Sequence, residues 1–297
     1  MNELDAWSHT TAAGAFAALL GLLWGSFANV CIYRWPEEKS VVRPGSHCSA
    51  CQTPIRWYDN VPILSYLWLR GRCRTCKAEF SPRYLFVEAA TAMLFYAAWW
   101  FTLGFGGVAS GQSFGMSALH FATDAAFLFV MVVITFIDID HKLIFDFVTY
   151  PAMAVFYGLG VALGQTWWIG LVGAAIGYGV PWLIGELYYR LTDREGLGLG
   201  DSTLLAVVGA LMGWRGVVFA LFGGSVIGSV IGIAALLVAR ARRRRSQATV
   251  GETAGAEPAE PAEPSLMKSE LPFGPFLAAA AVVYLFASPW ITMHFRL

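Results

Sequence analysis

The chain has 297 residues, of which 57% are hydrophobic and 13% are charged, with a formal net charge of +0 at pH 7. Its mean hydropathy is +0.57. This composition excludes an ordinary soluble globular domain, in which about 25% of the residues are charged. We therefore expect an integral membrane protein.

Apolar segments long enough to cross a bilayer recur along the chain. A membrane helix needs about 20 mostly apolar residues. Such segments are 11–33, 84–105, 117–137, 147–164, 166–188, 203–213 with its flanks, 216–239 and 274–293. We predict an all-α polytopic membrane protein with about eight transmembrane helices. The first segment follows Glu3 and Asp5 without a basic region, so we interpret it as a retained helix and not as a cleaved signal peptide.

Positive charge predicts the orientation, because Lys and Arg are retained on the cytoplasmic side. All of them except Arg215 and Arg296 fall in the alternate connecting segments 34–83, 138–146, 189–202 and 240–273. We predict that these segments are cytosolic and that both termini are periplasmic. The run "RARRRRS" at 240–246 is interpreted as a headgroup anchor, and the Ala/Glu/Pro-rich stretch after it as a disordered cytosolic loop.

Two Cys-x-x-Cys pairs lie between the first two predicted spans, "CSAC" at 48–51 and "CRTC" at 73–76. This is the ligand spacing of a tetrahedral four-cysteine zinc site, and cytosolic thiols are kept reduced, which disfavours disulfides. We predict a small zinc-bound cytosolic domain between helices 1 and 2, with Cys48, Cys51, Cys73 and Cys76 as ligands. Four thiolates leave no open coordination position, so the metal is expected to be structural.

Basic side chains surround the cysteines: Arg56, Arg70, Arg72, Arg74 and Lys77. Zinc ribbons with such charges can bind nucleic acid, but the same charges suit a domain that lies against anionic lipid headgroups. We favour membrane lipid as the partner and expect no nucleic acid.

Carboxylates near the membrane face are the next signal, since each is costly there and therefore a functional hypothesis. "FIDIDHKLIFDFV" places Asp138, Asp140 and Asp146 between the third and fourth spans, and "GLGLGD" places Asp201 at the start of the sixth. Two carboxylates at one depth on neighbouring helices can share a proton, so that one acts as a base and the other as an acid. Asp138 and Asp201 fit the chemistry of an aspartic protease.

The glycines before Asp201 have two readings. Gly198 and Gly200 can let an extended peptide approach the carboxylate, because they have no side chain, or they can permit close helix packing. Asp140 and Asp146 can equally be helix caps or solvated groups. For Asp124 and Glu186, which lie within apolar segments, we favour a structural role.

The order of the motifs along the chain resembles a known family, the bacterial type IV prepilin peptidases, which are GxGD-type intramembrane aspartic proteases and often also N-methyltransferases. The similar stretches are "GLLWGSFANVCIYRWP", "RPGSHCSAC" with "YDNVPILSYLWLRGRCRTC", "SPRYLFVEAATAMLF", "FIDIDHKLIFD", "EGLGLGDSTLLAVVGALMGW" and "LPFGPFLA". They cover nearly the whole chain.

The resemblance implies a function and a set of residues. Asp138 and Asp201 would be the catalytic aspartates of an enzyme in the bacterial inner membrane. It would cleave the leader of prepilins and pseudopilins after a glycine at the cytoplasmic face, then methylate the new amino terminus with S-adenosylmethionine. Glu88 matches an acidic position of the family, with a role either in docking the cytosolic domain or in methyl transfer.

Two positions depart from the family pattern. Phe145 stands where the family usually has proline, and Thr203 stands where it usually has lysine. The first change bears on how the fourth membrane helix begins, since proline favours a helix's first turn. The second removes a cation beside the proposed catalytic pair.

Two other functional classes remain open from the residues. A proton-coupled transporter would use the intramembrane acids as relays, although the inverted repeats common in transporters are not evident. A membrane-anchored zinc-ribbon module would need only 34–83. The expected division of the chain is a first helix in 1–33, the zinc domain in 34–83, a peptidase core in 84–239, a basic then disordered loop in 240–273, and a last helix in 274–297.

Overall fold

The computed structural model describes residues 7–104, 113–193, 198–250 and 272–295. Within these ranges the chain is helical, apart from connecting turns and two isolated β-bridges. The helices are α1 (Thr11–Arg34), α2 (Leu64–Trp68), α3 (Arg83–Thr102), α4 (Phe114–His141), α5 (Asp146–Ala162), α6 (Trp167–Thr192), α7 (Leu199–Val250) and α8 (Gly274–Phe295), with a 3-10 turn at Trp57–Asn60.

Six of these helices are long and apolar enough to cross a membrane: α1, α3, α4, α6, α7 and α8. Helix α7 contains two of the predicted spans, because Gly213 interrupts its helical geometry with φ 69° and ψ −174°. Helix α5 has 17 residues and supplies the fourth predicted span. The all-α membrane fold with about eight transmembrane helices is therefore confirmed.

The end of α7 differs from the sequence prediction. The helix continues through the basic run to Val250, although we expected a loop from residue 240. Residues 240–250 are mostly Arg, Ala and other residues compatible with a helix, and neither glycine nor proline occurs before Gly251. The first part of the expected loop is thus helical, and its Ala/Glu/Pro-rich part at 251–271 lies outside the described residues.

Helix α7 is at the centre of the packing, in contact with α5, α6 and α8, while α1, α3 and α4 pack against one another. Its residues Leu204, Leu205, Val207 and Val208 are fully buried in the main apolar cluster. Gly173 and Gly177 of α6 pack directly on the α7 backbone. Small residues permit this close helix contact, which holds the amino-terminal turn of α7 in place within the bundle.

The segment between α1 and α3 is tied to both helices. The guanidinium of Arg34, in the last turn of α1, donates to the carbonyls of Ser40 (2.9 Å) and Gly45 (3.2 Å). The amide of Asn29 donates to the carbonyl of Tyr84 (3.1 Å), near the start of α3. The cysteine-containing segment is therefore anchored to the last turn of α1, beside the start of α3.

Candidate active site

Asp138 lies in the last turn of α4 and is only 5% exposed. Its carboxylate faces the backbone N–H of Gly274, the first residue of α8. The Oδ2 atom has no hydrogen-bond partner among the described residues. Burial of a carboxylate oxygen without a hydrogen-bond partner destabilises the fold, so a purely structural role does not explain it. Asp138 is therefore a candidate functional residue.

Asp201 is the third residue of α7. Its carboxylate lies close enough to the Asp138 carboxylate for the two negative charges to repel each other. The Asp201 carboxylate also faces the backbone N–H of Gly198, just before the helix. This is one of the two bonds of a capping box, in which an acidic side chain reaches back to the start of its own helix; Gly198 has no side chain to form the other. The structure thus brings together the two acids that the sequence singled out.

The two glycines before Asp201 have different surroundings. A Cβ atom added at Gly200 would lie 2.8 Å from the Cβ of Ile144, so Gly200 permits close packing on the α4–α5 connection. A Cβ atom added at Gly198 would have Asp201 Oδ2 as its nearest neighbour, at 3.7 Å. Gly198 therefore leaves open space beside the carboxylate, whereas Gly200 is a packing residue.

Gly274 is a site residue that we did not predict. A Cβ atom added there would lie 2.6 Å from Oδ2 of Asp138 and 3.2 Å from the side chain of Ile144. Only a glycine leaves room for the Asp138 carboxylate at this point. The sequence does indicate that a helix starts here, since Pro275 follows Gly274 and proline is favoured at the first turn of a helix.

The two acids near Asp138 in sequence, Asp140 and Asp146, have other structural surroundings. Asp140 forms an ion pair with Arg83, whose guanidinium also donates to the carbonyl of Phe136 (3.1 Å). This pair joins the first turn of α3 to the last turn of α4. Asp146 is the exposed first residue of α5, where a carboxylate is favourable to the helix dipole.

The acids expected to be structural lie away from the pair. Glu186 forms an exposed ion pair with Arg190 one turn later (2.7 Å). Asp124 precedes Asp138 by about 21 Å along α4, given the helical rise per residue. It lines a cavity of about 510 Å³ with His120 and Gln165. Asp124 is therefore too far from Asp138 to act on the same bond, and Glu186 is engaged by Arg190.

The two departures from the family pattern fit their surroundings. Phe145 precedes α5 with φ −85° and ψ 125°, and its carbonyl accepts the amides of Val148 and Thr149. The helix therefore begins without proline. Thr203 is buried, and its hydroxyl donates to the carbonyl of Gly200 (2.9 Å), which stabilises the first turn of α7.

The four cysteines form a compact cluster, with all sulfur atoms within 4.8 Å of one another. The Sγ atoms of Cys48 and Cys76 are 3.7 Å apart, and those of Cys51 and Cys73 are 4.0 Å apart. A tetrahedral zinc ion with bonds of about 2.3 Å would separate its sulfurs by about 3.8 Å. The donor set and its spacing therefore fit a zinc ion.

The two cysteine pairs have the same local backbone. The amide of Cys48 donates to the carbonyl of Thr53 (3.0 Å), and that of Cys73 donates to the carbonyl of Ala78 (2.8 Å). The residue after each second cysteine, Gln52 or Lys77, has a positive φ. Both pairs thus form the same tight turn, with both sulfurs on one side.

Hydrogen bonds favour the thiolate form of two of these cysteines. The hydroxyl and then the backbone of Thr53 lower the pKa of Cys51 to about 6. The backbone N–H groups of Cys76 and Thr75 lower the pKa of Cys73. Metal ligation requires the thiolate, so these contacts prepare the cluster to bind a soft cation.

Glu88 lies in the second turn of α3 and is buried. Its carboxylate accepts the backbone N–H of Ile63 (2.7 Å), at the start of α2 in the cysteine-containing segment. Gly25 of α1 leaves no room for a side chain against the backbone of Glu88. Of the two roles considered from the sequence, this contact favours docking.

A bundle of membrane-length helices with two neighbouring carboxylates at one end defines the class of the molecule: an integral membrane protein with an aspartic-protease-like acid pair. The model of the "Bacterial Peptidase A24 N-terminal domain" matches residues 19–102. The model of the "Type IV leader peptidase family" matches residues 125–233. The chain belongs to the type IV leader peptidase family, and the resemblance seen in its motifs is confirmed.

Relatives match over nearly their whole length. The protein "Prepilin leader peptidase/N-methyltransferase" of Myxococcus xanthus is 31% identical over 93% of this chain and 91% of its own. Proteins of the same name from Aeromonas hydrophila (34% identical, 92% and 90% covered) and Pseudomonas aeruginosa (32%, 96% and 94%) are also similar. The matches do not support the transporter alternative. No solved structure gives a significant match.

Proposed function

We propose that this protein is an intramembrane aspartic endopeptidase that removes the leader of type IV prepilins and pseudopilins. The observation that carries the proposal is the pairing of Asp138, in the last turn of α4, with Asp201, in the first turn of α7. Relatives with the leader peptidase name cover almost the whole chain, which supports the same activity.

In this proposal one carboxylate of the pair acts as a base and the other as an acid. Two like charges at close range do not both ionise easily, so the pair retains one proton. The ionised carboxylate accepts a proton from water, and the protonated one donates a hydrogen bond to the carbonyl oxygen of the scissile peptide. The water oxygen bonds to the carbonyl carbon as the C=O π bond opens, which gives a tetrahedral intermediate. This intermediate then collapses: the C–N bond breaks, and the nitrogen takes the proton that the carboxylate had accepted from water.

The substrate has a defined orientation in this proposal. Its apolar helix lies in the bilayer and its basic leader in the cytoplasm, so that the bond after the glycine meets the acids at the membrane boundary. The space beside Gly198 is where an extended backbone can approach Asp201, because no side chain of the described residues stands there. This orientation places the cysteine domain in the cytosol and both termini in the periplasm.

The cysteine cluster and Glu88 have supporting roles. Zinc bound by Cys48, Cys51, Cys73 and Cys76 would hold the fold of the cytosolic domain and supply no open position for chemistry. Glu88 docks this domain on α3 through the Ile63 amide. The relatives' name includes N-methyltransferase, so we also propose methylation of the new amino terminus with S-adenosylmethionine as the methyl donor.

One experiment tests the whole proposal. Purified protein in lipid nanodiscs is incubated with a prepilin, with and without S-adenosylmethionine, and the product's mass and amino terminus are read. We expect cleavage after the glycine in both reactions, and one added methyl group only with the donor. An intact prepilin would overturn the peptidase assignment, and a cleaved but unmethylated product would overturn only the methyltransferase part.

The metal prediction concerns the cysteine cluster. Purified protein should contain about one zinc per chain, as closed four-thiolate sites do. The double variant Cys73→Ser/Cys76→Ser should lose the metal, whereas Cys31→Ala should keep it, because Cys31 is buried inside α1 away from the cluster. Elemental analysis under reducing conditions without chelator measures both. A metal-free parental protein would contradict the site.

The prediction for Asp140 follows from its ion pair with Arg83. Asp140→Asn should keep cleavage within about tenfold of the parental rate, because a partly exposed ion pair contributes little free energy. Initial rates of prepilin cleavage measure this. Glu186→Gln, which breaks an exposed ion pair elsewhere, is the matched control. Complete loss in Asp140→Asn would move the first catalytic acid from Asp138 to Asp140.

A further inference from the structure

The short helix α2 presents apolar side chains to the outside of the cysteine domain. Leu64, Leu67 and Trp68 are 67%, 59% and 83% exposed, and their spacing places them on one face of the helix. Trp57, in the preceding 3-10 turn, is 82% exposed. We call Trp57, Leu64, Leu67 and Trp68 the apolar ridge.

The polar side chains of α2 lie outside the ridge and bond to the backbone of the domain. The Ser65 hydroxyl donates to the carbonyl of Tyr58 (3.0 Å) and accepts the amide of Val61 (2.9 Å). The Tyr66 hydroxyl donates to the carbonyl of Phe80 (3.3 Å). In a domain surrounded by water, an amphipathic helix has the reverse arrangement, with its apolar face toward the core. The ridge therefore indicates an apolar neighbour outside the domain.

The start of α2 is held at the depth of a membrane helix. Its Ile63 amide is bound by Glu88, which lies about 7–8 Å beyond the first residue of α3 along the helix axis. Helix α3 is long and apolar enough to cross a membrane. A headgroup layer is roughly 5–8 Å thick on each side of the hydrocarbon core. If α3 begins at the outer edge of the headgroup layer, the Ile63 amide, and with it the start of α2, is level with the boundary between headgroups and acyl chains.

The charges around the ridge complement anionic lipid. Arg56 and Arg70 are exposed and bracket the ridge in sequence. The one acidic residue of the turn, Asp59, is paired with Arg74 (2.8 Å). Tryptophan together with arginine is typical of the membrane–water interface, where the ring fits the boundary and the cation meets phosphate.

We propose that the apolar ridge is an interfacial anchor, which lies among the phospholipid headgroups of the leaflet that faces the cysteine domain. A substrate helix is a poorer occupant, because the domain docks on α1 through Arg34 and on α3 through Glu88, whereas the Asp138 carboxylate faces the start of α8. Through the contact between Ile63 and Glu88, the anchor fixes the height of the cysteine domain relative to α3. The proposal does not depend on peptidase activity.

Site-specific photo-crosslinking in the full-length protein tests the anchor. Benzoylphenylalanine replaces Leu64 or Trp68, and, as the control, the exposed Ala50 of the first cysteine pair, which lies outside the ridge. The variants are placed in nanodiscs of phosphatidylethanolamine and phosphatidylglycerol, irradiated with and without prepilin, and analysed by intact-protein mass spectrometry. Retained zinc verifies that each variant is folded.

We expect an adduct of one phospholipid mass at positions 64 and 68 in both conditions, and none at position 50. A prepilin adduct at 64 or 68 would overturn the proposal and identify the ridge as a substrate surface. A lipid adduct of equal yield at position 50, or none at 64 and 68, would also overturn it. Hydroxyl-radical footprinting of the parental protein gives a second reading, since Trp57 and Trp68 should be protected from oxidation in nanodiscs despite their exposure in the isolated chain.

Discussion

Asp138→Asn and Asp201→Asn should each reduce prepilin cleavage by at least about 10³-fold, because a positioned acid or base contributes rate factors up to about 10⁴. An amide keeps the size of the carboxyl group but cannot accept or release the proton. The Asp138 carboxylate faces Gly274 in a tight space, so the isosteric change is the one that leaves packing intact. Single-turnover cleavage in nanodiscs measures the effect.

The double variant tests whether the two acids act together. If the two acids act as one unit, Asp138→Asn/Asp201→Asn should be no slower than either single variant, because groups that act together are not additive. Asp124→Asn is the matched control, since this acid also lies on α4 but about 21 Å from Asp138. It should cleave at nearly the parental rate. Substantial activity in either single variant would exclude the pair as the catalytic centre.

The sequence was sufficient to predict the membrane fold, and it also led to the proposal of the two acids. Long apolar segments indicate membrane helices because backbone polar groups must be satisfied within lipid. The motifs "FIDIDHKLIFD" and "GLGLGD" placed Asp138 and Asp201 at one membrane face. The cysteine spacing likewise predicted the cluster that the structure forms. These features are local in sequence or follow from alternation across the membrane.

Features that depend on contacts between distant segments were not predicted. Nothing local to "LPFGPFLA" shows that Gly274 lies against Asp138, since this contact arises from the packing of α8 on α4. The two glycines before Asp201 looked equivalent in sequence, but only Gly200 packs on Ile144. The ion pair between Arg83 and Asp140 likewise joins residues on separate helices. Composition alone also did not indicate that α7 continues past residue 239.

Gly274→Ala should lower the rate constant of cleavage by about 10²-fold, because a misplacement of about 1 Å is enough for such a loss. The added Cβ would lie 2.6 Å from Oδ2 of Asp138, so the carboxylate must move away from its place beside Asp201. Gly200→Ala should also slow cleavage, because its Cβ would lie 2.8 Å from the Cβ of Ile144, and a Cβ atom cannot move without its backbone. The affinity for prepilin should change little in both variants, since the added methyl groups face the protein interior.

Gly179→Ala is the control for the loss of a membrane-helix glycine, because a Cβ there would have no atom of the described residues within 4 Å. It should cleave within about twofold of the parental rate, as expected for a substitution that touches nothing. Cleavage rate and prepilin affinity are measured separately, by single-turnover kinetics and by equilibrium binding to an uncleavable prepilin. Equal rates in Gly274→Ala and Gly179→Ala would show that the position of Asp138 beside Gly274 does not matter for catalysis. A loss of affinity without a loss of rate would instead place Gly274 in the substrate-binding surface.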